Sequence, residues 1–291
     1  MHVDSRLGGD PPGRQASERW LSKDGQRAYS VTLHLPEGAA PAHGFPLMVL
    51  LDGAWVSEAS MQVERGTAVA LVMHEGEPEA VKAGRAFDFT PPLANTPQPA
   101  DPRTPRWRNG GADGFLQLLD TAMLPWMLAQ APVDCDGVTL FGHSYGALCV
   151  LRGLYAGAFA RVTRCVLASP SVWWHDGAVD QALPITGLQA SHRPAVLFLA
   201  GEHERWHAQA VGPDGTAQSR EGGRSTLAPI RAAAERWAAT GGHEVYLDVV
   251  PQGTHHSMLA QSLAPAFEFA RQPRTALGRT WRPVDRWSID A

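Results

Sequence analysis

The sequence predicts an α/β domain built on a mostly parallel central sheet with helices on both faces. Three observations carry that expectation. Short continuous apolar runs recur along the chain, amphipathic stretches fall between them, and a Gly-x-Ser-x-Gly turn joins one run to a helix.

The apolar runs lie at 46–51, 67–73, 138–141, 164–168, 195–200 and 244–250. Runs of that length suit strands buried on both faces. Residues 27–35 alternate instead, in the style of a half-buried strand that Pro36-Glu37-Gly38 ends. Helices are expected at 114–130, 146–155, 227–239 and 257–270. The first carries Phe115, Leu118, Leu119, Met123, Trp126 and Met127 at three-and-four spacing, with a kink or break at Pro125.

Two stretches break the alternation. Residues 91–112 are rich in Pro, Asn and Arg without periodicity, and are too long for an ordinary connection. They read as disordered or as a functional flap, and 85–112 as a substrate loop. Residues 212–224 are Gly-rich and polar, a mobile loop by composition.

With 291 residues, 44% of them hydrophobic, one large domain over 15–270 is expected. A loose arm at 1–14 precedes it. A tail from Arg271 follows, carrying Arg274, Arg279, Arg282 and Arg286. That tail could pack back, reach a partner chain or fray. Lys plus Arg (25) against Asp plus Glu (29) leaves a net charge of −4, which argues against nucleic acid or an anionic membrane as partner. The cysteines Cys135, Cys149 and Cys165 are too few and scattered for a disulfide scaffold. No run nears the ~18 apolar residues of a membrane span, and no apolar run follows the first charges as in a signal peptide. The expected compartment is the cytoplasm.

The chemistry starts at Gly142-His143-Ser144-Tyr145-Gly146, directly after the run 138–141. A serine at the tip of a sharp strand-to-helix turn needs a strained backbone, and glycines around it avoid collision. Ser144 is the candidate nucleophile. The base should come from His255 or His256, which follow the run 244–250 and so reach the C-terminal sheet edge, with His255 preferred. The acid should follow the run 195–200, where Glu204 is preferred, Glu202 is the alternate and Asp176 an outside choice. An oxyanion hole needs two N–H donors. Tyr145, after the nucleophile, is one candidate, and Gly53 or Ala54 in the turn after 46–51 is the other.

A rival motif is present. His203-Glu204-Arg205-Trp206-His207 matches H-E-x-x-H, which on a helix would bind zinc. The motif opens directly after an apolar run and soon meets Gly212-Pro213-Asp214-Gly215, so a helix there is not expected and a metal is not called for.

These residues resemble a family. The turn around Ser144, the Leu50-Leu51-Asp52-Gly53 turn, Ser169-Pro170-Ser171-Val172-Trp173-Trp174 and the late histidine are similar to an esterase branch of the α/β-hydrolases. Within it, Arg85-Ala86-Phe87-Asp88-Phe89-Thr90-Pro91 with 110–115 resembles the siderophore trilactone esterases, which cut the ester backbone of catecholate siderophores such as enterobactin. The likeness covers roughly residues 20–270. It implies an α/β-hydrolase fold, Ser144 as nucleophile, His255 as base through the frame Pro251-x-x-x-His255-x-x-Met258, and Arg85 near the substrate pocket. Some members use a Ser–His dyad without a clear acid. Residues 91–109 depart from the family pattern.

The charge in that departure suits an anion. Arg85, Arg103, Arg106 and Arg108 outnumber Asp88 and Asp101, and Trp107 sits among them. A ferric tris-catecholate is a flat-faced trianion that guanidinium and indole can hold. Trp173, Trp174 and His143 are the other candidate substrate contacts. The expected activity is ester hydrolysis of a catecholate siderophore without a cofactor. The alternatives are a general carboxylesterase or thioesterase, a zinc hydrolase, and a binding protein on a disabled hydrolase frame.

Overall fold

The computed structural model describes residues 15–56, 66–130, 132–181, 193–206, 209–211, 217–219, 224–240 and 244–284. The 1–14 arm, His207, most of 212–224 and the last seven residues lie outside them.

Eight strands form the main sheet: β1 (Gln15–Leu21), β2 (Ala28–His34), β3 (Phe45–Leu51), β4 (Ala68–Glu75), β5 (Val133–His143), β6 (Arg164–Ala168), β7 (Ala195–Gly201) and β8 (Val245–Val250). Their order is β1-β2-β4-β3-β5-β6-β7-β8. The pairs β1–β2 and β2–β4 are antiparallel, and all later neighbours run parallel. The expected mostly parallel sheet is what forms.

Its sequence logic is visible strand by strand. β6 and β7 are buried along their whole length, as continuous apolar runs require. In β3, Leu47, Val49 and Leu51 face one core while Met48 and Leu50 face the other, so the period of two splits a single run between both sheet faces. β2 buries Tyr29, Val31 and Leu33. Edge strand β1 escapes sequence reading because it is mostly polar and exposed.

Helix α1 (Pro78–Asp88) precedes the long loop. Helix α2 (Ala112–Leu118) continues through a π turn, Leu119–Met123, into α3 (Leu124–Gln130). The expected break at Pro125 is thus a widened turn, which accommodates the missing N–H without ending the helix. Helix α4 (Tyr145–Ala156) follows the serine turn and is almost wholly buried. The remaining helices are α5 (Leu227–Ala239), α6 (Met258–Gln261), α7 (Leu263–Arg271) and α8 (Leu277–Thr280).

The long loop is neither disordered nor free. Asn109, fully buried, donates from Nδ2 to the Ala86 carbonyl (2.8 Å) and accepts from Trp174 Nε1 (2.8 Å). Asp101 Oδ1 accepts the N–H groups of Arg103 (2.9 Å) and Thr104 (2.8 Å), and Oδ2 accepts the Tyr145 hydroxyl (2.8 Å). Each buried polar group is therefore bonded, and the loop is pinned to α1, α4 and the 174 turn. The Arg-bearing tail packs back through Val284. Leu277, Trp281 and Val284 are buried, and Leu247 donates its N–H to the Arg282 carbonyl at 3.2 Å.

Candidate active site

At the end of β5, Ser144 holds φ 57° and ψ −116° and α4 starts at the next residue. That backbone is strained for a residue with a side chain, and it lifts the hydroxyl out of the strand-to-helix turn. A Cβ on Gly142 would lie 2.4 Å from the Gly146 carbonyl carbon, so the first motif glycine is required by contact.

The turns after β7 and β8 bring two further groups to Ser144. His255 Nε2 lies 3.0 Å from Ser144 Oγ, and His255 Nδ1 lies 2.7 Å from Glu204 Oε1. Glu204 is 2% exposed, and its Oε2 accepts the Ser169 hydroxyl (2.7 Å) and the Gly201 N–H (3.3 Å). With the carboxylate on Nδ1, that nitrogen carries the proton and Nε2 is free to accept from the serine. Ser171 Oγ stands 3.2 Å from Ser144 Oγ.

The two turns are pressed together at a glycine pair. A Cβ on Gly201 would meet the Gly253 carbonyl oxygen at 2.4 Å, and His203 donates its N–H to that oxygen at 2.9 Å. Glu202, the alternate acid, instead accepts the Gln252 N–H at 2.9 Å, bracing the β8 turn. His256 is exposed, and its ring centre lies 6.3 Å from that of His255. Asp176 sits in the turn Trp174–Gln181, while Glu204 occupies the His255 Nδ1 position.

Residues 203–206 of the H-E-x-x-H string are not helical, and His207 lies outside the described residues. Arg205–Trp206 is a short strand paired with Arg224–Ser225, the His203 side chain is 61% exposed, and Glu204 is committed to His255. In extended chain the two histidines of such a motif stand about 13 Å apart, too far to hold one ion. No group of three metal-ligating side chains occurs among the described residues.

Two turns carry the candidate oxyanion donors. Gly53–Trp55 forms a 3₁₀ turn in which Trp55 and Val56 donate to the Asp52 and Gly53 carbonyls. The N–H groups of Gly53 and Ala54 precede those bonds. Tyr145 is the first residue of α4, where helical N–H groups lack an intrahelical acceptor. The dipole of the twelve-residue α4 adds positive potential there.

Arg85 is 12% exposed in its side chain and donates to Asp52 Oδ2 (2.7 Å) and to the His143 carbonyl (3.3 Å). The other expected substrate residues scatter. Arg106 and the Trp107 indole both donate to Glu79 at the start of α1, at 2.7 Å and 2.9 Å, and Arg108 is exposed on the loop. Trp174 is fully buried and bonded to Asn109, so it is core and not pocket wall. Trp173 is half-buried beside the site. Arg103, which the sequence offers only as part of the loop's positive surplus, reaches the nucleophile turn: its guanidinium carbon lies 4.5 Å from the Tyr145 ring centre and 4.9 Å from that of Trp173. Sequence reading missed Ser169 and Ser171 as site residues. The signal for them was the end of run 164–168, which shares its sheet edge with Ser144.

His143 is buried, and burial pushes its imidazole down to about 3, with the neighbouring His255 and Arg85 adding to the effect. Its Nε2 lies 3.1 Å from the His255 carbonyl and donates to it. Because the folded value is depressed, protonation favours the unfolded chain. Stability from this group is complete above about pH 6.5 and is lost as pH falls toward about 3. Thermal unfolding of the His143→Gln variant should therefore show a weaker fall of Tm between pH 6.5 and 4 than the wild type. An equal fall in both would contradict it.

A family model described as "Putative esterase" matches residues 22–257, most of the chain. This chain belongs to that esterase family. The esterase is 29% identical over 203 residues to the ferri-bacillibactin esterase BesA of Bacillus subtilis, covering 64% of this chain and 69% of the relative. It is 32% identical over 204 residues to the apo-salmochelin esterase of Escherichia coli, covering 65% of this chain and 63% of the relative. Among solved structures it is similar to the BES protein from Bacillus cereus, with TM-score 0.69, 20% identity, and 92% of this chain and 100% of that chain covered. The enterobactin and salmochelin hydrolase IroE gives TM-score 0.64 at 21% identity, covering 91% and 98%. These structures share the α/β-hydrolase fold of the esterase. No helix among the described residues is long and apolar enough to cross a membrane.

Proposed function

We propose that this esterase hydrolyses the backbone esters of a catecholate siderophore, a trilactone or its linear fragments, through an acyl-enzyme on Ser144. The observation that carries the substrate class is Arg103, set against the rings of Trp173 and of Tyr145, the residue after the nucleophile. A guanidinium held between aromatic rings presents charge and flat surface together, which suits an anionic catechol ring. The relatives named as bacillibactin and salmochelin esterases support the same class.

In this reading His255 takes the Ser144 proton as the hydroxyl attacks the ester carbonyl. The N–H groups of Tyr145 and of Gly53 or Ala54 hold the tetrahedral oxyanion. His255 returns the proton to the leaving alcohol, and water then repeats the cycle on the acyl-enzyme. Glu204 stabilises the imidazolium that forms on the way. A ferric siderophore brings its iron as part of the substrate, and cleavage weakens the chelate, which places the enzyme in iron acquisition. The cytoplasmic location belongs to the same reading, on three free thiols, Cys135, Cys149 and Cys165.

The substrate class is tested by Arg103→Glu. Reversing the charge should raise KM for a catecholate ester about ten-fold or more than it raises KM for p-nitrophenyl acetate, roughly one charge contact. Equal changes on both substrates would remove Arg103 from substrate recognition.

A further inference from the structure

We propose that Arg85 is a positioning residue, holding the oxyanion turn, the nucleophile elbow and the His255 loop in one arrangement through Asp52 and His143. This inference rests on Ser144, His255 and Glu204 acting as a triad, but not on the siderophore as substrate.

The bonds form a chain across three elements. Asp52 ends β3 at φ 64° and immediately precedes the candidate oxyanion donors Gly53 and Ala54. Its carboxylate is 7% exposed as a residue and takes the Arg85 Nε–H at 2.7 Å. The same guanidinium donates from Nη2 to the carbonyl of His143, the residue before the nucleophile, at 3.3 Å. His143 in turn donates from Nε2 to the His255 carbonyl at 3.1 Å. Donor turn, nucleophile and base are thus tied by consecutive hydrogen bonds.

Arg85 has little left for a ligand. The faces of Trp55, Phe89 and Tyr145 surround its guanidinium, with centres 4.9, 5.6 and 5.7 Å away. Its backbone is equally fixed. It stands in the last turn of α1, and three residues on, Asp88 accepts from Arg27 (3.0 Å) and Tyr29 (2.8 Å) and meets His74 Nε2 at 3.0 Å. The Thr90 hydroxyl donates to the Ala86 carbonyl at 2.7 Å and accepts the Gly110 N–H at 3.1 Å. The Arg-x-x-Asp-x-Thr-Pro segment therefore reads as a platform, Asp88 and Thr90 locking the backbone from which Arg85 reaches the site. Burial holds the Asp52 carboxyl above its ordinary value, and Arg85 opposes that rise by favouring the carboxylate. Displacement of an oxyanion donor by about 1 Å can cost on the order of 100-fold in rate.

The test uses the full-length enzyme with two esters, neutral p-nitrophenyl butyrate and the anionic p-nitrophenyl hemisuccinate. Arg85→Ala and Asp52→Asn should each lower kcat on both esters by about 10- to 100-fold, with KM shifting less than about three-fold. The double variant should be no slower than the slower single, because both cut one chain. Arg85→Lys should recover part of kcat. Removing one partner leaves a buried charge, so Arg85→Met combined with Asp52→Leu serves as the variant without one, and it should show the same loss of kcat with an intact unfolding transition. Three results would overturn the proposal: a folded Met/Leu variant with wild-type kcat, additive losses, or a ten-fold rise in KM confined to the anionic ester. The last would make Arg85 a substrate contact. Absence of fluorophosphonate labelling in the wild type would sink the triad instead, and is scored separately.

Discussion

Replacing Glu204 with glutamine is expected to lower kcat by about 10³- to 10⁴-fold on any ester while leaving the protein folded. The reason lies in the two sides of the carboxylate. Oε1 receives the His255 Nδ1–H, and Oε2 receives Ser169 and Gly201. An amide has one oxygen and one donor group, so it accepts either from His255 Nδ1–H or from the Gly201 N–H, never both. If its oxygen turns toward Ser169, the imidazole flips tautomer and Nε2 can no longer accept the serine proton. If its oxygen turns toward His255, the NH₂ group faces the Gly201 N–H donor in a buried site. The charge that stabilises the imidazolium is gone in either case. Turnover of p-nitrophenyl acetate, with circular dichroism as the folding control, measures this. A loss below ten-fold would mean that Ser144 and His255 work as a dyad and that Glu204 only packs.

Ser144→Ala carries the largest expected effect, a fall in kcat of about 10⁴-fold or more together with complete loss of fluorophosphonate labelling. Ser171 Oγ is 3.2 Å from Ser144 Oγ but does not stand at the strand-to-helix turn that presents the nucleophile. The same position offers a stability readout. Glycine tolerates the φ of 57° that strains a serine, so Ser144→Gly should be equally inactive yet more stable by about 1 kcal/mol. Lower stability in Ser144→Gly than in Ser144→Ala would argue against backbone strain at the elbow. Retained labelling in either variant would move the nucleophile elsewhere.

Much of the fold was legible because the central strands are apolar on both faces and are punctuated by turn residues. The nucleophile turn, the acid turn and the histidine turn each follow such a strand, so Ser144, Glu204 and His255 could be assigned to one sheet edge before any contact was known. What the sequence hid depends on distant partners. The order of the long loop comes from Asn109 meeting Trp174 and from Asp101 meeting Tyr145, 65 and 44 positions away. Trp174 was misassigned to the pocket wall for the same reason: its indole N–H finds an acceptor inside the core. Arginine count also misled. Arg106 is spent on Glu79, whereas Arg103 lies against Tyr145 and Trp173. The motif around His203 matched zinc spacing, but that spacing brings two imidazoles to one ion only on a helix, and Arg205–Trp206 is extended.

The most direct measurement is incubation of the purified enzyme with ferric and iron-free catecholate trilactone, with product release followed by chromatography. The expected result is stepwise appearance of linear trimer, linear dimer and monomer in the wild type and none in Ser144→Ala. Rapid hydrolysis of a short acyl ester with no cleavage of either trilactone would contradict the siderophore assignment and leave a general esterase.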